Sequence, residues 1–175
     1  MFDAVVLAGG EARRLGGQDK AALEVGGRSM LDAVLTATAA AERTVVVGPE
    51  RPTERPVVWT REDPVGGGPV PALAAGLEHV AADTVVLLAA DLPFVTADFV
   101  AWLAAQAPAV LVVDGRAQWL CSAWPVSALR APATSDRLGT VLGALPHRAV
   151  SWDGEGTPWL DCDTDADLAR ARAMA

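Results

Sequence analysis

The feature that most constrains this chain is a set of five short, almost wholly apolar runs. They are "DAVVLA" (Asp3 to Ala8), "TVVVG" from Thr44, "VVW" from Val57, "TVVLLAA" from Thr84 and "AVLVVD" from Ala109. A run that is apolar throughout, rather than at alternate positions, predicts a strand buried on both faces. Helical patterns lie between them. Ser29 is placed to cap "MLDAVLTATAAAE", Pro71 to open "ALAAGLEHVA" at its first turn, Thr96 to cap "ADFVAWLAAQ" and Thr164 to cap "DADLARARAMA". Strands that alternate with helices predict an α/β fold with a mostly parallel sheet and helices on both faces. Ligands of such sheets bind outside the carboxyl ends of the strands. Functional residues should therefore follow strands directly, as Gly9-Gly10, Asp63 and Asp91 do.

Several function classes are disfavoured. The 175 residues suit one domain, 1–175, with a sizeable core. No apolar run reaches the roughly 18 residues of a membrane span. The start of the chain lacks the basic and apolar regions of a signal peptide, and two cysteines, Cys121 and Cys162, show no metal spacing. A cytoplasmic protein with reduced thiols is expected. The net charge of −8 argues against a nucleic-acid partner. It leaves room for a small phosphorylated ligand held by local cations, and Arg13, Arg14 and Lys20 are such a group.

Three stretches carry possible chemistry. In "LAGGEARRLGGQDK" (Leu7 to Lys20), two glycines allow close approach to the backbone, the arginines offer forked donors and Lys20, the only lysine of the chain, offers a compact charge. The combination suits a nucleoside triphosphate, although it is neither a Walker A loop nor a G-x-G-x-x-G fingerprint. A solvated glycine-rich surface loop is the plainer alternative. In "LLAADLPFV" (Leu87 to Val95), Asp91 ends an apolar run and is either a ligand for Mg²⁺ or the cap of a turn. In "WLDCDTDADL" (Trp159 to Leu168), Asp161 and Asp163 share one side of an extended segment, with Cys162 facing the core. One aspartate is a candidate second carboxylate on a metal. His79 and His147 have no partner spacing for a metal or a triad, and Ser122 has no elbow motif.

These stretches together resemble the nucleotidyltransferases of the molybdenum cofactor guanylyltransferase type. "LAGGEARRLGGQDKA" resembles the signature loop of that family, and the likeness continues in order through "REDPVGGGPVPALAAGL", "LLAADLPFV" and "WLDCDTDADL", while Arg116 to Arg148 matches poorly. The resemblance implies a three-layer Rossmann-like nucleotidyltransferase fold with a mostly parallel mixed sheet. It implies transfer of GMP from GTP to the phosphate of molybdopterin, with Mg²⁺ as cofactor, by a monomer or weak oligomer. Leu7, Ala8, Gly9 and Gly10 would meet the guanine through backbone groups. Arg14 and Lys20 would bind the triphosphate, Asp63 the nucleoside side, Asp91 the Mg²⁺, and Asp163 the metal or substrate. The double glycine favours GTP over CTP. Cytidylyl transfer, a phospho-acid acceptor such as phospholactate, a sugar-phosphate enzyme and a non-catalytic nucleotide-binding module stand as alternatives.

Overall fold

A computed structural model describes residues 1–9 and 19–175. The expected elements form. β1 (Asp3–Leu7) leads, beyond residues 10–18, to a single 3₁₀ turn (Lys20–Ala22) and a small hairpin, β2 (Glu24–Val25) with β3 (Arg28–Ser29). Then come α1 (Met30–Ala37), β4 (Thr44–Val47), β5 (Val58–Thr60), α2 (Pro69–Leu77), β6 (Thr84–Ala89) and α3 (Ala97–Ala105). The remainder is β7 (Ala109–Val113), β8 (Arg116–Pro125), α4 (Val126–Leu129), α5 (Leu138–Gly143), β9 (Arg148–Val150) and α6 (Asp165–Met174).

The main sheet has seven strands in the order β5-β4-β1-β6-β8-β7-β9. β5, β4, β1 and β6 pair in parallel, β8 runs against both β6 and β7, and β9 is parallel to β7. The sheet is thus mixed, with β8 alone reversed. From β1 the chain steps outward to β4 and β5, then crosses back to β6 on the other side of β1. Because parallel crossovers keep one hand, this reversal puts the first helices on opposite faces. α1 and α3 cover one face through Leu31, Val34, Leu35, Phe99, Val100 and Leu103. α2, α4 and α5 cover the other through Ala72, Leu73, Leu77, Val126, Leu138 and Leu142. α6 packs Leu168 and Ala171 with Val25, Met30 and Cys162 beside the small hairpin. The reversal also creates a crevice at the carboxyl ends of β1 and β6, where the Ala90 N–H bonds the Leu7 carbonyl at 3.2 Å.

Local chemistry accounts for most boundaries. Ser29 caps α1 by accepting from the N–H of Asp32, Thr96 caps α3 by accepting from Phe99, and Thr164 forms a reciprocal capping box with Asp167. Three expectations are revised. α1 ends at Ala37 instead of running to Glu42, because the buried Thr38 hydroxyl turns back to the Leu35 carbonyl while the chain bends into β4. α2 starts at Pro69, not Pro71, after Gly68 makes the turn with φ +96°. β8 is an unexpected ten-residue strand. Its Ser122 hydroxyl tolerates full burial because it donates to the Trp119 carbonyl at 2.6 Å and accepts from Trp124 Nε1 at 2.8 Å.

Candidate active site

Three elements that are distant in sequence bring their chemistry to the crevice. Lys20 stands on the 3₁₀ turn, which the buried Ala21 anchors to the core. Asp19, just before it, accepts from Arg51 at 2.8 Å, so the loop after β4 braces the turn that presents the lysine. Asp91 follows β6 directly. Asp161 and Asp163 come from the segment before α6, where the buried Cys162 holds the intervening residue in the core. The alternation expected for this segment is therefore seen.

The lysine and the carboxylates meet. Lys20 Nζ donates to Asp163 Oδ1 at 2.8 Å and lies 3.7 Å from Asp91 Oδ2. The side chains of Lys20 and Asp91 are 21% and 19% exposed, so water screens their interaction only in part. Burial works against the Lys20 charge, but the hydrogen bond to Asp163 and the charges of Asp91 and Asp163 outweigh it and hold the ammonium above its usual pKa. Asp91 goes the other way. Burial pushes its carboxyl up to about 6, with Lys20 pulling down and Asp161 and Asp163 pushing further up. Asp161 is raised as well, first by burial and then by Asp163. Burial first, then the charges of Asp91, Asp167 and Asp161, raise the Cys162 thiol to about 11, which keeps it protonated and unreactive.

Two carboxylates, Asp91 and Asp163, lie 3.7 Å and 2.8 Å from one ammonium and Asp161 borders the same cleft, so among the described residues the cluster holds excess negative charge. All its ligand atoms are oxygens. A hard divalent cation such as Mg²⁺ matches both properties. Among the described residues no group of three or more His, Cys, Asp or Glu side chains could hold a metal ion. That is compatible with Mg²⁺, which binds through one or two carboxylates and completes its shell with water and substrate phosphates. The donor set fits such an ion.

Beside the cluster opens a cleft of about 390 Å³, a size suited to a small molecule. Asp91, Asp161 and Asp163 form its polar end. Gln118, Trp119 and Leu120 of β8, Leu138 of α5, and Trp159 form much of the remaining wall. The Trp119 indole is closely backed, since a Cβ on Gly139 would come within 2.6 Å of its Nε1. The segment that matched the family poorly thus supplies part of this wall.

β1 ends at Leu7, and Ala8 and Gly9 follow it at the same carboxyl end of the sheet. The Ala8 N–H is committed to the Val47 carbonyl at 2.8 Å, so contact with a ligand through Ala8 falls to its carbonyl. Gly48 backs this turn so closely that a Cβ there would lie 2.8 Å from the Ala8 carbonyl carbon. Gly10, Arg13 and Arg14 lie outside the described residues. Asp63 is exposed, whereas its neighbour Glu62 is buried beside Gly9. Two features of the site escape the sequence reading. One is Glu62, for which a signal existed: period-two counting along β5 puts it on the same side as Val58 and Thr60. The other is the aromatic wall from β8.

A mixed, mostly parallel sheet with a cation and carboxylates at its switch point defines an open α/β protein whose ligand site lies at the strand ends. Comparison with known proteins gives the family. The model of the MobA-like NTP transferase domain matches residues 4–150. A molybdenum cofactor guanylyltransferase of Acidiphilium cryptum is 36% identical over 97% of this chain and 93% of its own length. One of Rhodopseudomonas palustris is 33% identical over 98% and 91%. Among solved structures, molybdopterin-guanine dinucleotide biosynthesis protein A of Archaeoglobus fulgidus superimposes with a TM-score of 0.79, at 21% identity, over 98% of this chain and 97% of that one. The chain belongs to the MobA-like NTP transferase family.

Proposed function

We propose that this protein is a Mg²⁺-dependent guanylyltransferase that moves GMP from GTP to the phosphate of molybdopterin, releases pyrophosphate and works in the cytoplasm. The observation that carries the reading is the Lys20–Asp91–Asp163 cluster at the mouth of an aromatic-walled cleft, in a chain whose relatives are named for this reaction. No helix is long and apolar enough to cross a membrane among the described residues.

An acceptor phosphate oxygen forms a bond to the α-phosphorus, and the bond from that phosphorus to the bridging oxygen of pyrophosphate breaks. Both reactants are anions, so the site must neutralise charge more than move protons. The phosphate nucleophile is already ionised, which accounts for a site built without a histidine or a cysteine nucleophile. Lys20 would balance charge on the triphosphate and on departing pyrophosphate, exchanging its bond to Asp163 for one to phosphate oxygen. Arg14 is assigned to the same triphosphate. Asp91, with Asp161 or Asp163, would hold Mg²⁺. That ion, when bound, supplies Lewis-acid charge neutralisation on the phosphates. Trp119 and Trp159 offer flat faces to the acceptor.

The test is release of pyrophosphate from each of GTP, CTP, ATP and UTP, with Mg²⁺, in the presence and absence of molybdopterin. The reading requires turnover that needs both GTP and molybdopterin. Turnover with CTP alone moves the protein to the cytidylyl branch, and nucleotide binding without any turnover makes it a non-catalytic module.

A further inference from the structure

Glu62 carries a carboxylate that the phosphate chemistry at Lys20 does not use. It follows β5 at the same end of the sheet as Gly9, and only 7% of the residue is exposed. Its two oxygens differ. Oε1 accepts from the Gly66 N–H at 3.0 Å, which fixes the orientation of the carboxylate. Oε2 is buried and has no hydrogen-bond partner among the described residues. A buried acceptor without a donor is unfavourable by itself; Asp3 Oδ1 shares this state at the opposite end of β1, whereas Glu62 Oε2 has it at the carboxyl ends of the strands, where ligands of such sheets bind. The carboxylate also lies against the motif that ends β1. A Cβ on Gly9 would be 3.6 Å from Oε1 and 3.7 Å from Oε2, and as a glycine this residue puts nothing between them.

We propose that Glu62 reads the nucleobase of the donor nucleotide, its free Oε2 accepting from the N1–H and 2-amino group of guanine. The assignment rests on the guanylyl-transfer reading given above and makes its base preference specific. An ionised carboxylate only accepts hydrogen bonds. Guanine presents two adjacent donors on its Watson–Crick edge, and the 2-amino group is peculiar to it among the four common bases. Cytosine and adenine each present one amino group beside a ring nitrogen that accepts, and uracil presents one N–H between two carbonyls. Each of these sets a lone pair against the carboxylate. Gly66 needs Oε1 alone, so anchoring the loop before α2 explains one oxygen of Glu62 and leaves the other to be accounted for.

Isothermal titration of the Mg²⁺-supplemented protein with GTP, inosine triphosphate, CTP and ATP tests this. Inosine triphosphate lacks only the 2-amino group. The unmodified chain is expected to bind GTP at least about tenfold more tightly than inosine triphosphate, since a site built around a donor rejects an analogue lacking it. Glu62→Gln keeps an oxygen for Gly66 but can set an N–H against guanine. It should weaken GTP by about tenfold or more and bring the GTP-to-inosine ratio close to one. Equal affinities for the two nucleotides in the unmodified chain overturn the proposal without any substitution, and so does E62Q weakening both to the same degree. An unmodified chain that takes CTP and refuses GTP overturns the guanylyl reading itself. A chain that prefers GTP while E62Q leaves the preference intact overturns only the role of Glu62.

Discussion

The ammonium of Lys20 and the carboxylate of Asp163 sit 2.8 Å apart although 143 residues separate them in sequence. This contact, with Asp91 at 3.7 Å, makes the only lysine of the chain the positive pole of an otherwise acidic centre. Among the described residues, these carboxylates hold the ammonium in place at the strand ends.

Replacing the ammonium should show this directly. Lys20→Ala is expected to lower kcat/KM for GTP by about 10²-fold or more, on the order of 3 kcal/mol of transition-state stabilisation. Lys20→Arg keeps the charge but exchanges a point charge for a wide planar fork, and it should recover less than about a tenth of the lost activity. Steady-state pyrophosphate release measures both. A twofold loss for the alanine variant would return Lys20 to the status of a surface cation.

Asp91 has a stability signature as well as a chemical one. Its carboxyl titrates near 6 in the fold, chiefly because it is buried, against an ordinary value of 3.8. The folded state therefore holds this proton more tightly than the unfolded chain. Ionisation costs stability progressively as pH rises from about 4 to 6. In the metal-free protein, Asp91→Asn removes that cost. At pH 7 it should raise the unfolding free energy by up to about 3 kcal/mol, at about 1.4 kcal/mol for each pH unit between 3.8 and 6. The gain should vanish below pH 4. The same variant should lose at least about 10²-fold in turnover. Denaturant titrations across pH, with chelator present, check the first part. A destabilised D91N at neutral pH would show that burial does not strain this carboxyl.

Asp161 and Asp163 should separate by function. Asp161→Asn leaves the Lys20 contact intact and removes one negative charge from the centre. It is expected to raise the Mg²⁺ concentration for half-maximal activity by about tenfold, with kcat recovered at saturating metal. Asp163→Asn also loosens Lys20 and should lower kcat even at saturating Mg²⁺. Metal titrations of the two variants under identical GTP decide the point, and identical curves would remove the distinction.

The fold has its own point of sensitivity at Gly76. There α2 approaches β1 and β4 so closely that a Cβ would come within 2.7 Å of Val5 Cγ1 and 3.1 Å of Val47 Cγ2. Gly76→Ala should cost about 1–3 kcal/mol by overpacking, despite alanine being the better helix former. At this chain length each kcal/mol lowers the unfolding midpoint by about 2–4 °C. A variant as stable as the parent would mean that the helix shifts outward without penalty.

Much of this site can be read from local chemistry. Ser29, Thr96 and Thr164 act on their own helices a few residues away, so their caps need no knowledge of the tertiary fold. Gly9, Asp91 and the pair Asp161 and Asp163 are legible for a different reason. Ligand-binding residues of an open α/β sheet follow strand ends, and period-two spacing orients the pair. The other parts depend on partners that a sequence pattern does not name. β8 lacks the uniform apolarity of the other strands, since it interleaves Gln118 and Ser122 with tryptophans, and its pairing is set by β6 and β7 together. Glu62 rather than Asp63 is the buried carboxylate because of the face on which β5 happens to end. One residue of register decides that choice.

The capping box at Thr164 bears on Lys20 from a distance. It opens the helix that follows Asp161 and Asp163, and that helix packs Leu168 and Ala171 onto the hairpin just after Lys20. The partner of the lysine is thus held by a helix translated after every other element of the site. The centre is therefore complete only while α6 is docked on that hairpin, so a contact far from any phosphate site sets how firmly the lysine is held.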